Sequence, residues 1–62
     1  MAEEHEVKTR SRQYYHIEES GGTFYVRKPG WAGRISIGST RSMATALALV
    51  ENDAREKIKS VR

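Results

Sequence analysis

Two runs of strictly alternating side chains hinge on Gly21-Gly22, and they constrain the fold more than any other feature. From Gln13 to Glu18, Tyr15 and Ile17 point one way while Tyr14, His16 and Glu18 point the other. From Thr23 to Lys28, Phe24 and Val26 oppose Thr23, Tyr25 and Arg27. Period two in aromatic and β-branched residues specifies strands. Ser20-Gly21-Gly22 between them is free to take the positive φ of a tight hairpin turn. Pro29-Gly30 marks a second turn. Trp31-Ala32-Gly33 then leads into a third alternation, Arg34-Ile35-Ser36-Ile37, with both isoleucines inward and Gly38 closing it.

Ser42 precedes a run of strong helix formers and reads as an N-cap. Helical stepping from there aligns Met43, Ala46, Leu47, Val50, Ala54, Ile58 and Val61 on one apolar stripe. Lys57, Lys59 and Arg62 would complement the carbonyl end of that helix. A sheet with one apolar face and a helix with one apolar stripe must cover each other. The expected fold is therefore α+β: a three-stranded antiparallel β-meander packed on one C-terminal helix, ββ(β)α in two layers, within a single domain over residues 13–62. Residues 1–12 hold one aliphatic side chain besides Met1 and Ala2, namely Val7, and read as a flexible, disordered tail.

With 62 residues, the chain buries only roughly 60% of its unfolded surface, so the core is thin. No cysteine is available to staple it. His5 and His16 have no thiolates to join in a structural metal site, and neither a metal nor a cofactor is expected. The N-terminus has no basic and apolar leader, and the longest apolar run, Ala46 to Val50, is far short of a bilayer span. A cytoplasmic location with no membrane partner is the expectation.

Catalysis finds no foothold. No serine has a recognisable His and acid partner, Glu18 and Glu19 point to opposite faces of a strand, and the glycines match no phosphate loop. A non-enzymatic binding module is expected instead. The uncovered sheet face would carry Tyr14, His16, Tyr25, Arg27, Arg34 and Ser36, a mixture suited to phosphates, base edges and stacking. It is equally what strand propensity alone places on a solvated face. Lys8, Arg10 and Arg12 in the tail form either an arm for a phosphate backbone or a solubilising segment. The net charge of +3 permits a polyanion partner without demanding one. Trp31 reads first as a lid on the edge of the core, with an exposed anchor as the other reading. Leu49 falls more than ~100° from the centre of the helix stripe, so it is a lone exposed leucine or a partner contact.

Ile37, Gly38, Ser42 and Ala46, at the junction from third strand to helix, resemble the same junction in AP2-like and phage integrase N-terminal (arm-binding) DNA-binding domains. Phe24-Tyr25-Val26-Arg27 and Gly33-Arg34 resemble the second hairpin of that module. The resemblance spans roughly residues 13–60. It departs at Thr40, where the family commonly has an aromatic residue, and at Thr45, where it commonly has an acidic one. It implies a three-stranded sheet lying in the DNA major groove, with the tyrosines, His16, Arg27, Arg34 and Ser36 as the contacting face. The alternative is a protein-interaction or homodimerisation module of the kind found among small bacterial and phage proteins, using the tyrosine face, a sheet edge or the Leu49 side of the helix.

Overall fold

The computed structural model describes residues 2–62; Met1, at the head of the expected tail, lies outside them. Five antiparallel strands form one sheet, and a helix packs on one of its faces. The elements are β1 (Glu3–Thr9), β2 (Tyr14–Ser20), β3 (Thr23–Gly30), β4 (Gly33–Thr40), α1 (Met43–Ala54) and β5 (Ile58–Val61). The strand order is β4-β3-β2-β1-β5. The α+β class holds, and β2, β3 and β4 form the expected meander. The three-stranded sheet is corrected to five strands, because both ends of the sequence add one.

The tail expected at residues 1–12 supplies β1, which lies between β2 and β5. Its backbone pairs with β2 over Glu3–Lys8 and with β5 over Val7–Thr9, which offsets much of what its side chains lack in apolar area. Val7 and Thr9 point inward and are fully buried, while Glu6 and Lys8 point out opposite His16 and Tyr14.

The C-terminal helix is shorter than its stripe. Ser42 caps it as expected, its hydroxyl accepting from the Thr45 amide at 3.4 Å. The helix stops at Ala54, and Arg55 turns the chain with φ 59°. Nothing local demands this stop, since Ala54 to Lys57 are good helix formers. The stop is tertiary. Glu56 is captured by the β1–β2 turn: Thr9 Oγ1 donates to it at 2.7 Å, the Ser11 amide at 2.9 Å and Gln13 Nε2 at 2.8 Å, and the Ser11 hydroxyl also donates. Glu51 accepts from the Ile58 amide at 3.2 Å. Ile58 and Val61 therefore lie opposite Thr9 and Val7 in β5 and not on the helix.

The fully buried core is Val7, Tyr15, Ile17 and Val26 from the sheet with Ala46 and Val50 from the helix. Leu49, expected outside the stripe, is half-buried against this core. It flanks the Ala46–Val50 ridge on one side as Leu47 does on the other. Leu49 packs over Gly38 of β4, where an added Cβ would make ordinary contact with Leu49 Cδ1 at 3.5 Å. The Tyr15 hydroxyl donates to Asp53 at 2.7 Å, and Lys28 Nζ reaches the same carboxylate at 2.8 Å. Burial, and then the Asp53 carboxylate, push the Tyr15 phenol up to about 12. Lys28 and then Tyr15 hold Asp53 below the usual carboxylate range.

Candidate functional site

Gly21 and Gly22, with φ 58° and 80°, make the tight turn that sets Ser20 opposite Thr23. That register decides what shares the open face of the sheet. His16 lies opposite both Glu6 and Arg27, Glu18 opposite Glu4 and Tyr25, Lys8 opposite Tyr14, and Arg27 opposite Ser36. The expected face is thus assembled, with Tyr14 44% and Tyr25 38% exposed. Lys8 lies over the Tyr14 ring at 5.7 Å and Arg27 over the Tyr25 ring at 5.8 Å.

β1 brings to this face acids that strand alternation over residues 13–37 does not reveal. Glu4 and Glu6 join Glu18 there. Arg27 is paired with Glu18 at 3.0 Å and Arg34 with Glu4 at 3.4 Å. Arg34 stands on β4 and Glu4 on β1, three strand spacings or about 14 Å apart in a flat sheet. Their two long side chains reach across β3 and β2 to meet. The face is a charge-paired surface and not a basic one.

The expected arm is also not free. Lys8 is within β1, and Arg10 and Arg12 occupy the β1–β2 turn, where the Arg10 amide donates to the Lys57 carbonyl at 3.2 Å. Arg12 takes φ 67° in that turn, which Glu56 clamps. His5, read as a tail residue, converges with Glu3 and Glu19, their potential ligand atoms all lying within 4.8 Å of one another. Glu3 and Glu19 are directly opposed across β1 and β2, and the Glu3 side chain is mostly exposed. Like charges so opposed repel, and Glu3 lies out in solvent while Glu19 is half-buried.

The two edges of the sheet differ. β5 has four residues, carries Lys59 and is flanked by Lys57 and Arg62; its pairing with β1 is irregular at Lys8/Thr9. Short length, lysine and irregularity are the usual guards of an edge. β4 has eight residues, a single charge in Arg34, and no proline. Its bulge at Ile37 leaves the segment from Gly33 to Ser36 in regular register with β3. Trp31 stands at the tip of the β3–β4 hairpin and is fully exposed, so the lid reading is corrected. Ile35 is 48% exposed beside it. It lies so close over Gly30 that a Cβ there would clash with its Cγ1. Lys28 turns away to Asp53 and Arg34 to Glu4, which leaves Pro29, Trp31, Ala32 and Ile35 as an exposed apolar tip.

Compared with known protein families, curated proteins and solved structures, the chain finds no match. No helix among the described residues is long and apolar enough to cross a membrane.

Proposed function

We propose that this chain is a non-enzymatic protein-interaction module that docks through the free edge of β4 and the Trp31 hairpin tip. The full exposure of Trp31 beside the regular, proline-free Gly33–Ser36 stretch of the β4 edge carries this reading. An edge strand offers unpaired amides and carbonyls to an added strand, and an adjoining aromatic anchor supplies apolar area. In a molecule with so thin a core, a tryptophan held out in water is a poor use of apolar surface unless something covers it.

DNA on the open face is the rival reading. Tyr14 and Tyr25 under their cations favour it. The carboxylates weigh against it: phosphate would have to displace Glu18 from Arg27 and Glu4 from Arg34, with Glu6 beside His16. Isotope-labelled protein, dilute, titrated separately with excess peptide of the Gly33–Thr40 sequence and with generic duplex DNA at low salt, decides between them. Strand addition expects the peptide to shift β4 amides and the Trp31 indole signal while DNA leaves the spectrum unchanged. Salt-sensitive DNA shifts at Tyr14, His16, Tyr25 and Arg27, with the peptide silent, would replace this reading.

A further inference from the structure

We infer that the partner on the β4 edge is a second copy of this chain, paired antiparallel through β4 about a two-fold axis at Ile35. The inference rests on the docking reading above and adds the identity of the partner. Three observations favour a second copy over a foreign strand.

The first is self-complementarity. A two-fold at Ile35 sets that residue opposite itself and Arg34 opposite Ser36 of the second copy. It lays each Trp31 tip beside Ser39 and Thr40 at the far end of the other β4. Arg34 is the strand's only charge, so no like charges meet, and the axis falls in the segment that is regular on its β3 side. Cross-strand neighbours of this kind decide whether a pairing is tolerated.

The second is closure. An edge open on both sides of a sheet would propagate pairing into a fibre, whereas a two-fold contact closes on two copies. Here β5 is short and lysine-bearing, so β4–β4 pairing joins two five-stranded sheets and then stops. One guarded edge and one bare edge is the pattern a closed dimer requires.

The third is area. A stable pair needs roughly 800 Å² from each partner, against a total surface of 4419 Å² for this chain. A two-fold at Ile35 pairs the five residues Gly33–Ile37 of each copy and adds from each a tryptophan that buries roughly 150–250 Å², about a quarter of that area. It also lengthens a core that neither disulfide nor cofactor supplements.

Sedimentation equilibrium and cysteine cross-linking test this together. The sequence has no native cysteine, so single-cysteine variants report cleanly. Directly opposed residues in an antiparallel pair have Cα atoms about 4.5–5.5 Å apart, within disulfide reach. The wild type is expected at twice the chain mass, dissociating on dilution. Trp31→Ser, which alters no buried contact, is expected to weaken association at least tenfold. Ile35→Cys is expected to oxidise to a covalent dimer while Lys59→Cys, on the guarded edge, does not. A monomer at every concentration, or Ile35→Cys cross-linking no faster than Lys59→Cys, overturns the inference. If the chain is monomeric yet the Gly33–Thr40 peptide shifts β4, the self-pairing fails and the docking reading survives. If the peptide is silent as well, both fail.

Discussion

Glu56 gathers its donors from one turn, and hydrogen bonds from Ser11 and then Thr9 hold its carboxyl down to about 2 from an ordinary 4.5. A group that binds its proton more weakly when folded stabilises the fold above its unfolded value, and that contribution is lost as pH falls through the folded value. The Glu56 contribution should thus be complete above about 4.5 and fade toward about 2. Glu56→Gln should lower the urea midpoint at neutral pH, and its gap from wild type should narrow across that window; a gap independent of pH would contradict the clamp. Tyr15→Phe removes one hydrogen bond to Asp53 and should cost about 1 kcal/mol in the same assay. An unchanged midpoint would mean that Lys28 alone holds the helix end. Gly30→Ala should be destabilising because its methyl would fall 2.9 Å from the Gly33 backbone carbonyl as well as on the Ile35 side chain; an unchanged urea midpoint would contradict this.

At the level of elements, the central hairpin, the third strand and the start of the helix were legible. Gly21-Gly22, the alternation around it and Ser42 each encode their structure locally. The two outer additions were not. β1 has only Val7 as an aliphatic marker, and its inward Thr9 looks polar until Glu56 is seen to satisfy it. β5 was hidden because Ile58 and Val61 also fit helical spacing, and the break before them comes from Glu56 binding a turn some 45 residues away in sequence. The open-face residues were legible from alternation alone, but their neutralisation was not, since Glu4 and Glu6 reach that face only once β1 exists. Deleting residues 1–9 should accordingly abolish the cooperative urea transition, and Val7→Ala should cost on the order of 2 kcal/mol. Unchanged unfolding on deletion would restore the tail. Arg55 holds the left-handed cap position with φ 59°, where glycine is unstrained, so Arg55→Gly should stabilise by about 0.5–1 kcal/mol. A lower midpoint would mean that the Arg55 side chain contributes more than its backbone costs.

The whole molecule is a five-stranded sheet with one face under a helix, one face charge-paired, one short lysine-bearing edge and one longer edge free of lysine and proline. Of the large apolar side chains left exposed, Trp31, the most exposed, and Ile35 stand at the β4 edge, with Val61 on β5 and Tyr14 and Tyr25 on the open face. That asymmetry is the basis for assigning β4 as the interface between copies. Trp31 is the only tryptophan in the sequence, so its fluorescence reports on this site alone. The most direct measurement is its emission maximum across a dilution series. Self-pairing through β4 expects a blue-shifted, partly buried maximum at high concentration that moves to that of water-exposed tryptophan on dilution, in step with the fall in sedimented mass. A water-exposed maximum at all concentrations, or a mass change that leaves the emission unmoved, would contradict the assignment.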